Sequence, residues 1–275
     1  MKLISGAARL AGVVGWPVAH SRSPCLHNVW LQRYGIDGAY VPLPARPEDF
    51  SALILALAKA GFAGVNVTLP HKQAALALCD QIDDSARRAG AVNTLVFTPQ
   101  GILGRNTDGY GFVAHLRQQG VKPLAGPVLI LGAGGAARGI GAALQELGVD
   151  VSFTNRTAER AAALTKDLPS AKTLPWDQRA AALKDYALLV NTTSLGMVHQ
   201  PALELSLAHA APSLVVADIV FNPLETQLLA AARAQGLQAV DGLGMLLHQA
   251  VPGFAAWFGV TPQVDDELYR IVAAC

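Results

Sequence analysis

Apolar and polar positions along the chain fall into blocks whose period switches repeatedly between two and about 3.6. LAGVVG at 10–15 is a short apolar run that reads as a strand. Ser23-Pro24 then opens a helix, with Ser23 as N-cap and proline in the first turn. Leu26, Val29, Trp30 and Arg33 follow at helical spacing until Gly35. Residues 49–60 predict a second apolar helix, stopped at Gly61. GVNVT (64–68) predicts a strand, and Pro70 the start of another helix. AVNTLVFT (91–98), a Pro-Gln-Gly turn and ILGRN (102–106) predict a hairpin.

Beyond this point the alternation is more regular. PVLILG (127–132) and DVSFTN (150–155) read as strands, each followed by a helix, at 134–147 and 157–168. ALLVNTT (187–193) and LVVADIVF (214–221) read as buried strands. A long helix, MLLHQAVPGFAAWF, follows DGLG (241–244), and Thr261-Pro262 is expected to cap a terminal one. Strand–helix alternation of this kind predicts an α/β fold with parallel sheets. The expected division is 1–105 with the C-terminal helices 242–275 returning to it, and a Rossmann-type doubly wound domain at 106–241.

Composition narrows the class of protein. With 52% hydrophobic and 15% charged residues among 275, a sizeable core is available and intrinsic disorder is excluded. Lys and Arg number 21 and Asp and Glu 20, so no global field draws nucleic acid or an anionic membrane. An anionic ligand must be held by a local site. No apolar run reaches the roughly 18 residues of a membrane helix. Arg9 interrupts the apolar N-terminal stretch, which therefore reads as a first strand and not a signal peptide. Cys25, Cys79 and Cys275 are widely spaced and form no Cys-x-x-Cys. That argues against a disulfide scaffold or structural zinc, and suits a reducing compartment, so the expected location is the cytoplasm. No metal site is expected.

Gly132-x-Gly134-x-x-Ala137 follows an apolar strand and opens a helix, matching the dinucleotide pattern. The glycines let the backbone approach a pyrophosphate, and the helix N-terminus presents free N–H groups to it. The second strand of this unit ends in Asn155, Arg156 and Thr157, with Arg160 four residues past Arg156. An acid usually stands there for the ribose hydroxyls of NAD; an arginine instead accommodates the 2′-phosphate of NADP. Two solvated surface arginines are the plainer alternative.

Three further segments carry polar groups at helix starts. Ser21 and Ser23 place two hydroxyls beside free N–H groups, a setting that suits a carboxylate, although Ser23 serves equally as a simple cap. Thr68 ends a strand, and Lys72 falls in the first turn of the next helix, where the dipole should lower its pKa. Alone, Lys72 reads as a surface lysine. Asp108 in NTDGYG (106–111) stands at the expected domain boundary, where capping is the plain reading.

Taken together, GWPVAHSRSPCLHN (15–28), GVNVTLPHK (64–72), GAVNT (90–94), NTDGYG, GAGGAARG (132–139), NRT (155–157), NTTSLGM (191–197), DIVFNPLET (218–226) and DGLGMLLHQA (241–250) resemble the shikimate dehydrogenase family, which includes shikimate and quinate dehydrogenases. The resemblance covers nearly the whole chain. It implies reversible NADPH-dependent reduction of 3-dehydroshikimate in chorismate and aromatic amino acid biosynthesis, by a monomer or homodimer. It implies that Ser21 and Ser23 hold the substrate carboxylate, that Thr68, Asn93, Asp108 and Gln249 bind ring hydroxyls, and that Lys72 and Asp108 form the catalytic pair. Gly132 to Ala136 would hold the pyrophosphate, and Asn155, Arg156, Thr157 and Arg160 the adenosine phosphate. Ile219 and Gly242 would lie beside the nicotinamide, and Asp84 matches a weaker position near the cofactor. Phe221 stands where the family usually has Tyr, which removes one substrate hydroxyl contact. A quinate dehydrogenase of broader specificity and a non-catalytic NADP-sensing protein are the alternatives. Intact Lys72 and Asp108 argue against the second.

Overall fold

A computed structural model of the chain describes residues 4–121, 126–168 and 170–275. The chain divides into two compact units. One runs to Thr107 and resumes at Leu246; the other is Asp108–Met245.

The first unit contains β1 (Arg9–Gly15), α1 (Ser23–Arg33), β2 (Gly38–Pro44), α2 (Phe50–Lys59), β3 (Gly64–Val67), α3 (Lys72–Ala77), β4 (Gln81–Ile82), α4 (Asp84–Ala89), β5 (Thr94–Thr98) and β6 (Gly101–Arg105). Its sheet runs β2-β1-β3-β5-β6-β4. β1 lies parallel to β2 and β3, whereas β5 is antiparallel to β3 and β6, which makes the sheet mixed. The hairpin expected at 91–106 is β5–β6. Val14, Phe50, Ile54, Leu57, Val65, Val67 and Leu95 form one core. His27, Trp30, Tyr40, Phe254 and Trp257 make a second, aromatic cluster.

The second unit contains α5 (Asp108–Gln118), β7 (Val128–Leu131), α6 (Gly135–Glu146), β8 (Val151–Thr154), α7 (Ala158–Asp167), β9 (Lys172–Thr173), β10 (Leu188–Asn191), β11 (Val215–Asp218), α8 (Gln227–Ala234) and β12 (Gln238–Val240). All its strands are parallel, in the order β12-β11-β10-β7-β8-β9. This is the doubly wound order, with the chain reversing direction across the sheet between β7 and β10. Alternate residues of β7 bury on opposite faces: Val128 and Ile130 against Ile140 and Phe153, Leu129 and Leu131 against Leu189 and Val216.

Two helices complete the chain, α9 (Leu243–Phe258) and α10 (Asp266–Ala274). Both differ in detail from the sequence reading. α9 starts at Leu243, two residues before the expected MLLHQAVPGFAAWF, and carries Pro252 within it as that reading has it. α10 is capped by Asp265, whose side chain accepts from Leu268 N at 2.7 Å, and not by Thr261-Pro262. Arg33 of α1 pairs with Asp265 at 3.0 Å and Glu267 at 2.6 Å, drawing the start of α10 onto α1. The Cys25 and Cys275 sulfurs are bonded, with 6.7 Å between their Cα atoms. The sequence reading argues against a disulfide scaffold and does not foresee this single bond. The partners are 250 residues apart, and only packing of the chain end beside α1 brings them together.

Candidate active site

In the first unit the predicted polar residues stand at the start of α1 (Ser21, Ser23), just after β3 (Thr68), just before β5 (Asn93) and on α9 (Gln249). The N-cap of α1 is Arg22, so Ser23 is the first helical residue and Ser21 takes the capping part: its Oγ accepts from Ser23 N at 3.3 Å. Ser23 and Asn93 are buried, while Ser21, Thr68 and Gln249 are half-buried. Asn93 Oδ1 accepts from the Thr107 amide at 2.9 Å, and its Nδ2 donates to Thr107 Oγ1 at 3.0 Å and Gln249 Oε1 at 3.4 Å. Asn93 and Gln249 thus meet.

The structure adds residues that the sequence reading passed over. Asn66, buried in β3, donates from Nδ2 to Asn93 O at 3.2 Å and Thr94 Oγ1 at 3.1 Å. Its Oδ1 accepts from the Tyr40 hydroxyl at 2.6 Å. Asn66 and Thr94 lie inside the motifs GVNVTLPHK and GAVNT, whereas nothing local marks Tyr40. Thr68 follows β3, its amide donating to Val14 O at 2.9 Å and its carbonyl accepting from His71 N at 3.0 Å. Lys72 is the first residue of α3 and half-buried, and its carbonyl accepts from Val92 N at 2.9 Å, which ties the helix start to the Asn93 segment. Asp84 is exposed at the first turn of α4, 3.6 Å from Arg87.

In the second unit Asp108 is the buried first residue of α5. Gly109 lets α5 pack closely on α6: a Cβ there would stand 2.5 Å from Gly139 O and from Ala143 Cβ. The loop after β7 leads into α6. Gly132 holds φ +112°, a region that disfavours side chains, and its amide donates to Thr154 O at 2.8 Å. Gly134 is the N-cap of α6, and no side chain caps it. A Cβ built on Gly134 meets nothing within 4 Å, so the space before the free N–H groups of α6 is open. The next loop follows β8. Asn155 Nδ2 donates to Thr157 O at 2.9 Å, and Thr157 caps α7 without a side-chain bond. Arg156 and Arg160 are exposed, with no carboxylate partner among the described residues. Glu159, which the sequence reading left aside, lies exposed in the same first turn. These features suit a dinucleotide carrying a 2′-phosphate.

The loops after β10 and β11 are joined through a buried carboxylate. Asp218 accepts from Asn191 Nδ2 at 2.9 Å, Val220 N at 3.0 Å and Thr226 Oγ1 at 2.8 Å. Burial pushes its pKa up to about 6, against the pull of those three hydrogen bonds. This turn ends β11 at Asp218, so Ile219, Val220 and Phe221 leave the strand that the sequence predicts to continue to 221. Gly242 is buried, and a Cβ there would lie 2.3 Å from Ile219 O. The two positions assigned to the nicotinamide therefore touch. Asp241 accepts from Leu243 N at 2.9 Å at the start of α9, and Gly244 packs on the ring of His115. Phe221 is half-buried just before the Asn222–Pro223 bond.

An all-parallel sheet whose Gly-rich loop opens at the switch point defines the class: a dinucleotide-binding α/β protein with a second α/β unit. Three family models match: the shikimate dehydrogenase substrate binding domain at residues 13–95, shikimate / quinate 5-dehydrogenase at 116–231, and the shikimate 5′-dehydrogenase C-terminal domain at 242–266. The chain is 68% identical to a shikimate dehydrogenase (NADP(+)) of Acidiphilium cryptum over 272 residues, 99% of this chain and 98% of that one. The chain belongs to the shikimate dehydrogenase family. Among solved structures, shikimate 5-dehydrogenase of Thermus thermophilus in complex with NADP(H) and shikimate is 36% identical, with TM-score 0.88 over 97% of this chain and 98% of that one. Quinate dehydrogenase of Corynebacterium glutamicum in complex with NAD is 29% identical, also with TM-score 0.88, over 98% and 99%. Among the described residues no helix is long and apolar enough to cross a membrane, and no group of three or more His, Cys, Asp or Glu is placed to hold a metal ion.

Proposed function

We propose that the chain is an NADP-dependent shikimate dehydrogenase, interconverting 3-dehydroshikimate and shikimate. The observation that carries this reading is the polar set of the first unit. Ser21 and Ser23 stand at the start of α1, and Asn93 meets Gln249 through a buried network. A small acid bearing several hydroxyls is the ligand such a set would recognise.

In this reading the Ser21 and Ser23 hydroxyls bind the carboxylate, with the dipole of α1 behind them. Thr68, Asn93, Asp108 and Gln249 orient the ring through its hydroxyls. When bound, NADPH supplies the hydride that reduces the ketone carbon. Lys72 and Asp108 manage the proton: the ketone oxygen takes one as the alcohol forms, and the same groups accept it in the oxidation direction. Gly132, Ala133, Gly134, Gly135 and Ala136 hold the pyrophosphate with backbone N–H groups. Asn155, Arg156, Thr157 and Arg160 receive the adenosine phosphate, and Asp84 stands near the cofactor. Ile219 and Gly242 present one packed surface to the nicotinamide, and Phe221 offers the substrate a ring without a hydroxyl. Dependence on NADPH favours the cytoplasm as the working location. We read the protein as a monomer or homodimer, a point that sedimentation decides.

The test is the identity of the product. Incubation of 3-dehydroshikimate with NADPH should yield shikimate by proton NMR, with one NADPH oxidised per shikimate formed. NADPH binding without turnover would instead favour a sensing protein.

A further inference from the structure

We infer that Tyr40 is a positioning residue for substrate: its hydroxyl fixes the proton order of a buried run of hydrogen bonds that passes through Asn66 and Thr94 to Asn93 and Gln249. The inference rests on the shikimate reading of the site.

Tyr40 lies in β2 and is almost wholly buried. Asn28 of α1 clamps its backbone, Oδ1 accepting from Tyr40 N at 3.2 Å and Nδ2 donating to Tyr40 O at 2.8 Å. The ring stacks on His27, centroids 3.9 Å apart and planes 3° from parallel. Backbone and ring are thus both held, and the hydroxyl has one place to be.

The order of donors then follows from counting protons. Asn66 Nδ2 has two, and both are used, on Asn93 O and Thr94 Oγ1. That fixes the amide with Oδ1 toward Tyr40, which spends its single proton there at 2.6 Å. On the far side Thr94 accepts from Asn66 and donates to Asn93 Oδ1 at 3.0 Å. Asn93 Oδ1 is then the acceptor end of its amide, and Nδ2 points to Thr107 and Gln249 Oε1. Tyr40, Asn66, Thr94, Asn93 and Gln249 form one run with a single direction. Its last two members are assigned to ring hydroxyls.

Removing the Tyr40 hydroxyl breaks this order at its start. Asn66 Oδ1 is left buried without a donor, so the amide has reason to turn, and Thr94 and Asn93 lose the partner that orients them. The ring-hydroxyl side of the substrate half-site loosens, while the Gly132–Ala136 loop is untouched.

Initial rates with shikimate and NADP test this. Tyr40→Phe should raise the KM for shikimate by about 10-fold, with the NADP KM within about 2-fold and kcat within about 3-fold of the parent. Thr94→Val cuts the same run one step on without altering Tyr40 and should shift the shikimate KM in the same direction. Thr94→Ser keeps the hydroxyl and should restore it. These two variants decide the matter if Tyr40→Phe does not fold. A lowered thermal midpoint with both KM values at the parent level would make Tyr40 a packing residue and overturn the inference. So would equal rises in both KM values. A parent protein inactive on shikimate would overturn the shikimate reading itself, and the inference with it.

Discussion

His27 should make the first unit acid-sensitive, and its replacement should remove a measurable part of that sensitivity. The ring is fully buried between Tyr40, Trp30, Phe254 and Trp257, and neither nitrogen has a hydrogen-bond partner. Burial lowers its pKa from 6.5 to about 3, because a charged imidazolium cannot be solvated there. The sign follows from linkage. The folded value lies below the unfolded one, so the stability contributed by the neutral ring is fully present above pH 6.5 and is lost as pH falls toward 3. Each unit of pH below the unfolded pKa favours the unfolded chain by about 1.4 kcal/mol, so going from pH 7 to pH 4.5 costs about 2.5 kcal/mol through this residue. The assay is urea unfolding at those two pH values, followed by tryptophan fluorescence, since Trp30 and Trp257 lie against His27. His27→Phe keeps an aromatic ring on Tyr40 and cannot titrate. Its pH-dependent loss should be smaller than the parent's by about 2.5 kcal/mol, and comparing each protein with itself cancels any packing cost of the larger ring. Equal losses in the two proteins would refute the argument.

Three further outcomes follow from the site. Arg156→Ala should raise the KM for NADP by roughly 10-fold to 150-fold, the worth of one charge-assisted bond to a phosphate, and leave NAD nearly unchanged; equal effects on both would show that Arg156 does not read the phosphate. Gly242→Ala places a Cβ 2.3 Å from Ile219 O, a backbone atom with little room to move, and should raise the NADP KM and lower the thermal midpoint; parent-like values of both would count against the packed nicotinamide surface. Phe221→Tyr should lower the KM for shikimate by about 10-fold with kcat changed less than about 3-fold, and an unchanged or higher KM would mean that the site has been shaped around the phenylalanine.

What could be read from the sequence was whatever local pattern controls. The βα repeats of the second unit and the Gly132 loop stand where periodicity and the dinucleotide pattern put them. Edges and long-range pairings were harder. β2 carries Pro42 and Pro44, which weaken a strand reading, yet it is an edge strand, where proline is tolerated. β11 stops at Asp218 because that carboxylate turns the backbone to accept from Val220 N, a bond that apolar content cannot reveal. The N-cap of α1 is Arg22 and not Ser23, one residue earlier, and it carries no side-chain cap bond, so the preference for a hydroxyl at the cap does not locate this boundary. Tyr40 and Asn66 are 26 positions apart, and Asn66 and Thr94 are 28 apart, so their network exists only once β1, β2, β3 and β5 have paired. The Cys25–Cys275 bond is the extreme case of the same limit.

The most direct test of the functional account is a four-way rate comparison at the NADPH absorbance band. Shikimate and quinate are each paired with NADP and NAD at equal concentrations, and kcat/KM is compared. The account predicts that with shikimate NADP exceeds NAD by at least about 10-fold, the worth of one charge-assisted bond at the cofactor phosphate, and that with NADP shikimate exceeds quinate. Equal efficiency with NAD, or a preference for quinate, would contradict it.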